Sequence, residues 1–91
     1  MYYVYILTSN NSRVLYVGFT QDLKRRVKEH KRAKRGFTGK YNINRLMYYE
    51  IFESKSEAMA REMQLKSGSR KKKEELIDKA NRNWVDLYRD L

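Results

Sequence analysis

The chain has 91 residues, no cysteine, no proline and one histidine, with 21 Lys and Arg against 11 Asp and Glu, a formal net charge of +10. That length fits one domain with a modest core. The missing cysteines exclude disulfides, thiolate metal sites, iron–sulfur clusters and thiol nucleophiles, and His30 alone excludes a multi-histidine zinc site.

A basic balance of this size favours a polyanionic partner, nucleic acid or an anionic membrane surface. Hydrophobic residues make up 41% of the chain and fall in patterned runs, which favours a folded domain over a disordered one. No apolar run approaches the roughly 18 residues of a membrane span, and the opening residues carry no signal-peptide apolar segment. A soluble, cytoplasmic protein is expected.

Tyr2-Tyr3-Val4-Tyr5-Ile6-Leu7 is aromatic and β-branched, which predicts a strand buried on both faces. Ser9-Asn10-Asn11-Ser12 is turn chemistry, and Val14 to Phe19 reads as a second strand paired with the first in an antiparallel hairpin. Thr20 is the expected N-cap of a helix running to about Arg35, with Asp22 in its first turn. A loop with Gly36 and Gly39 leads to a third strand, Leu46 to Phe52. Ser54 and Glu57 form a capping-box signature that opens a second helix, closed by Gly68. Ser69 caps a third helix to about Ala80, and residues 81–91 form a tail with apolar side chains to dock. The predicted order is ββαβαα, one small α+β domain over residues 1–91 with a short, mostly antiparallel sheet flanked by helices.

Polar residues interrupt the apolar stripes. Leu23, Val27 and His30 share one face of the first helix, and Arg26 lies four residues before His30. The rest of that helix and the residues after it are basic, with eight Lys or Arg between Lys24 and Arg35. On the second helix Glu62 falls between Ala58 and Leu65, flanked by Met59 and Met63. A carboxylate on such a stripe needs a cation, a donor or a wet cleft. A half-buried ion pair with Arg26 and a functional carboxylate both meet that need. Gly18 lies inside a strand, where glycine often marks the close approach of a ligand or another backbone. Lys40 and Tyr41 in the glycine loop suit contact with a nucleic-acid backbone, or simple closure of the loop.

Val4-Tyr5-Ile6 followed by Tyr16-Val17-Gly18 resembles the two signature tripeptides of the GIY-YIG nuclease superfamily. Arg26 and His30, spaced by four, resemble the helix of that family, and Ala58 through Glu62 to Leu65-Lys66 resembles the segment with its metal-binding glutamate. The likeness runs from Tyr2 to about Ile77 and is nearest the small single-domain bacterial members, related to the nuclease domain of excision-repair enzymes. Two departures stand out: Tyr3-Val4-Tyr5 has no glycine, and Val17 replaces isoleucine. Many members carry an asparagine after the third helix, for which Asn81 and Asn83 are candidates.

The resemblance implies an Mg²⁺-dependent DNA endonuclease, with Mn²⁺ as a substitute ion. Its substrates would be branched, nicked or single-stranded DNA, read by structure or with weak sequence preference, in repair or recombination. By the same resemblance Tyr5 and Tyr16 are the paired tyrosines and one helps deprotonate the attacking water. Arg26 holds the scissile phosphate, His30 supports a tyrosine or the water, and Glu62 binds the metal. Gly18, Lys24, Arg25 and Lys40 are the candidate nucleic-acid contacts. The alternative is a catalytically weak or inactive domain that only binds nucleic acid. Gly36-Phe37-Thr38-Gly39 has the spacing of a KH loop, but it leads into a strand where that loop leads into a helix.

Overall fold

The opening apolar run becomes the middle of the molecule. In a computed structural model that describes residues 1–91, the Thr38 side chain aside, β1 (Tyr2–Ser9) lies between β2 (Leu15–Thr20) and β3 (Ile43–Phe52). Both pairings are antiparallel. Helices cover both faces of this strand, so Val4, Tyr5, Ile6 and Leu7 are buried in succession and not alternately.

Val4 and Ile6 pack with Val17 and Met47 against Ala58 and Leu65 of α3 (Lys55–Ser67) and Ile77 of α4 (Arg70–Ala80). Tyr5 and Leu7 pack on the opposite face with Ile43 and Leu46, against Leu23 and Val27 of α1 (Leu23–Arg32). Each fully buried aliphatic side chain contributes roughly 1.5–3 kcal/mol, so neither thin core tolerates much trimming. Ser54 and Ser69 accept from the amides of Glu57 and Lys72 and start α3 and α4, as their spacing predicts. The α+β class and the order ββαβαα are those expected.

Several boundaries differ from the expectation. The N-cap of α1 is Asp22, which accepts from the Arg25 amide at 3.1 Å. Thr20 ends β2 instead, and its hydroxyl receives the Asp22 amide at 3.1 Å. Helix α1 stops at Arg32, not Arg35, and the glycine loop contains a short helix, α2 (Gly36–Lys40). Gly36 opens it at φ +73°, a left-handed conformation that favours glycine. At Gly39 a Cβ would come 2.8 Å from the Lys34 carbonyl carbon, so glycine lets α2 fold back on the end of α1.

The third strand begins at Ile43 rather than Leu46. Ile6 pairs with Tyr48 while Leu7 pairs with Leu46, so Met47 is an extra residue in β3. The consecutive side chains of Met47 and Tyr48 therefore pack on the same face.

The tail docks through polar groups. Asp86 Oδ1 accepts from the amides of Leu46 and Tyr88, both at 3.0 Å, and its other oxygen pairs with Lys31. Leu87–Asp90 form a single 3-10 turn that packs its apolar side chains on the α1 side of the sheet. Among the described residues no helix is long and apolar enough to cross a membrane.

Candidate active site

Tyr5 points from the central strand into the α1 side, where it is opposite Gly18 of β2. A Cβ on Gly18 would lie 2.3 Å from both Cζ and Oη of Tyr5. The space at this glycine is filled by the Tyr5 side chain, where the sequence pointed to a ligand or another backbone. The phenol reaches α1, and its Oη lies 3.1 Å from His30 Nε2. Tyr16, two residues before Gly18 in β2, meets the His30 ring edge-on at 5.6 Å between centroids, close to the 5.9 Å of the Tyr5–His30 pair. Alternation along β2 places Tyr16 and Gly18 on one face, and the α1 stripe places His30 over it. The two tyrosines and the histidine form one cluster.

The charges around the cluster set its protonation. Burial first, and then the neighbouring Tyr16, raise the pKa of Tyr5 well above the ordinary phenol value. Arg26 pulls it down, while Glu62 and Glu29 push it further up. Tyr5 therefore keeps its proton near neutrality. Burial and then Arg26 hold the imidazole of His30 below its ordinary pKa, with Glu29 opposing. His30 is neutral at pH 7. A neutral imidazole has one N–H and one lone pair, so it and the Tyr5 hydroxyl form a donor–acceptor pair.

Arg26 lies one turn before His30 and is 45% exposed, with its Nε 3.4 Å from Glu29 Oε1. Such an exposed i,i+3 pair is weak and readily exchanged for a phosphate. Arg26 also lines a cleft of ≈ 380 Å³ with Arg25, Lys55, Asp22, Phe19 and Thr20. Three cations against one carboxylate make that cleft suited to an anion. A larger cleft, ≈ 440 Å³, lies between α3 and α4 and contains none of the Tyr5, Tyr16, Arg26, His30 or Glu62 side chains.

Glu62 projects from α3 with its side chain 20% exposed, and Lys66 one turn on is 3.2 Å away. The ion pair with Arg26 considered from the sequence does not form: each residue has a partner on its own helix. Among the described residues no group of three or more His, Cys, Asp or Glu could hold a metal. A site here would rest on the Glu62 carboxylate with water completing the shell. Mg²⁺ accepts such a site because it keeps several waters and needs only one or two protein carboxylates.

The remaining candidates divide. Arg25 shares the Arg26 cleft, whereas Lys24 faces a separate one with Tyr3, Tyr49 and Leu91. The Lys40 ammonium lies 5.5 Å over the Tyr41 ring. Asn81 is a structural residue: its buried amide donates to the carbonyls of Met47 and Val85 at 3.0 and 2.8 Å, and Asn83 is exposed. Met59 and Met63 are exposed, so only Ala58 and Leu65 anchor this part of α3. Sequence reasoning missed the fork by which Arg61 grips Glu50 at 2.8 and 2.9 Å, fixing the turn of α3 that carries Glu62. It also missed Lys55, whose only signal is its place at the start of α3, and it read Phe37 only within the KH-like spacing, not as a ring tilted beside Tyr16.

The family model of the GIY-YIG catalytic domain matches residues 1–75. A UPF0213 protein of Natronomonas pharaonis is 44% identical over 80 residues, 84% of this chain and 89% of its own. One from Bacillus velezensis is 37% identical over 91 residues, 96% of this chain and 88% of its own. The solution NMR structure of a UPF0213 protein from Bacillus halodurans has a TM-score of 0.59 at 35% identity, covering 96% of this chain and 94% of that one.

Proposed function

Because the chain belongs to the GIY-YIG nuclease family, we propose that it is a divalent-metal-dependent endonuclease that hydrolyses phosphodiester bonds in DNA. The observation that carries this reading is the Tyr5–His30–Tyr16 cluster with Arg26 one turn away and Glu62 close enough to act on Tyr5. Arg26 gives up Glu29 and holds the scissile phosphate through its fork. His30, neutral and held by Tyr5, receives the proton that the attacking water loses, with Tyr16 on the half-buried side of the cluster. Water oxygen bonds to phosphorus as the bond to the leaving sugar oxygen breaks. Glu62 would hold Mg²⁺, or Mn²⁺ in its place, which when bound supplies charge to polarise the phosphoryl oxygen and steady the departing oxyanion.

Arg25, Lys24 and Lys40 contribute phosphate contacts that carry no sequence information, in keeping with structure-selective or weakly specific action on branched, nicked or single-stranded DNA. A place in repair or recombination, in the cytoplasm, follows from such a substrate. The test is incubation of the protein with each of these DNAs in Mg²⁺, in Mn²⁺ and in chelator. Metal-dependent products support the reading. Binding without cleavage of any substrate in either ion replaces it with the binding-module alternative.

A further inference from the structure

The segment between His30 and Tyr49 holds six Lys or Arg and no Asp or Glu, and it carries the most exposed aromatic surface near the site. Phe37 is 56% exposed and Tyr41 45%. Phe37 lies 6.4 Å from Tyr16, tilted by 31°, and 5.1 Å from Tyr41, so ring contacts run in succession from His30 through Tyr16 and Phe37 to Tyr41. Neither outer ring is placed by chance. Gly36 supplies the positive φ that opens α2, and Gly39 lets that helix press on the Ala33–Lys34 backbone. Both rings are exposed, Lys34, Arg35 and Lys40 flank them in the chain, and the Lys40 ammonium lies 5.5 Å from the Tyr41 ring centroid.

Exposed rings interleaved with cations match an unpaired nucleobase on a phosphate strand, since every base has a π-face and every link a negative charge. A duplex presents neither base face. We propose that Phe37 and Tyr41 form a stacking platform for an unpaired nucleobase beside Tyr16, so that the strand to be cut is single-stranded or splayed there. Cleavage of that strand rests on the nuclease reading, whereas its binding does not. The two can fail separately.

The test measures binding of the protein in chelator at low salt. Its probes are a short thymidine oligonucleotide, an abasic deoxyribose-phosphate strand of equal length, and a duplex. Wild-type protein is expected to prefer the base-bearing strand over the abasic one by about fivefold, the low end of one stacked base. Phe37→Ala should lose that preference and keep its affinity for duplex. Phe37→Trp should restore it, with the added indole emission quenched by the base-bearing strand and not by the abasic one. Equal binding of both strands by wild-type protein overturns the platform. So does a Phe37→Ala variant that weakens on all three probes alike, or a Trp variant that fails to restore the preference. Absence of cleavage in Mg²⁺ removes the nuclease reading and leaves these results standing.

Discussion

Gly18 and Tyr5 face each other across the hairpin, and the phenol occupies the space that a side chain at 18 would need. Only because 18 is glycine can Tyr5 cross β2 and reach His30. Gly18→Ala is expected to push the hydroxyl off His30, cost about 1–3 kcal/mol by overpacking, and abolish cleavage. Tyr5→Phe is the companion variant, expected to lose cleavage while costing only about 1 kcal/mol. Chemical denaturation and a single-turnover cleavage assay check both. A Gly18→Ala protein with wild-type stability would show that the ring has another place to go.

His30 gives the fold and the reaction the same pH dependence. Burial and Arg26 lower its pKa in the folded state, so below about 6.5 the unfolded chain takes up the proton first. The contribution of His30 to stability is therefore complete above that pH and is lost as pH falls through the lower folded value. Cleavage should decline over the same acidic range as the imidazole becomes charged. Thermal melts across pH 4.5–8 should show a smaller acid loss for His30→Gln than for wild type. An unchanged slope would place the acid sensitivity elsewhere.

Asp86 fastens the tail to two elements. Burial raises the pKa of its carboxyl, but the Lys31 ammonium and the Tyr88 and Leu46 amides outweigh that and hold it below the ordinary value. The stabilisation is present above the ordinary carboxylate range and lost as pH falls through the depressed pKa. Asp86→Ala is expected to cost roughly 2 kcal/mol, because it leaves the Leu46 and Tyr88 amides without their acceptor and Lys31 with the Asn44 carbonyl but no counter-ion. Asp86→Asn should cost less, since its oxygen still receives the Leu46 amide. Hydrogen exchange at Leu46 is the direct readout, and it should accelerate in the Ala variant alone.

Much of this was legible in the sequence because it is local. The strand run at Tyr2 to Leu7, the caps at Ser54 and Ser69, and the stripe of Leu23, Val27 and His30 depend only on spacing and on side-chain chemistry. What was not legible is set by distant partners. Where α1 ends depends on how Gly39 meets the Lys34 backbone, a contact no periodicity reports. The bulge at Met47 lies beside an amide claimed by Asp86, 40 residues further on. The same limit applies to the site. The Arg26–His30 spacing was visible, but not that Gly18 makes room for Tyr5, nor that Glu62 pairs with Lys66.

Binding to duplex DNA should weaken steeply with salt. Arg25, Arg26 and Lys55 converge on one cleft, and Lys40 extends the basic surface beside α2. If about four phosphates are neutralised, log K should fall against log[salt] with a slope near −3.6. Arg25→Ala should reduce that slope by about 0.9 and weaken unrelated sequences equally. A flat response, or a loss confined to one sequence, would contradict phosphate-dominated binding.

Glu62 separates the metal reading from a purely structural one. Its carboxylate has a single ion partner among the described residues, the half-exposed Lys66 one turn away on the same helix. Surface pairs of this kind contribute about 0.3–0.5 kcal/mol, so Glu62→Gln should leave the metal-free melt within about 0.5 kcal/mol of wild type. It should also bind DNA without metal as well as or better than wild type, because a negative charge near the phosphate site is gone. In Mg²⁺ the two proteins should part. Wild type is expected to melt at higher temperature as the ion concentration rises and to cleave, whereas the variant should show neither response. The melt reads ion binding without any turnover, so an inactive preparation still reports on the site. A wild-type melt indifferent to Mg²⁺ and Mn²⁺, or a Gln variant that still cleaves, would remove Glu62 from the metal site. A variant that unfolds without metal would make it a structural residue after all.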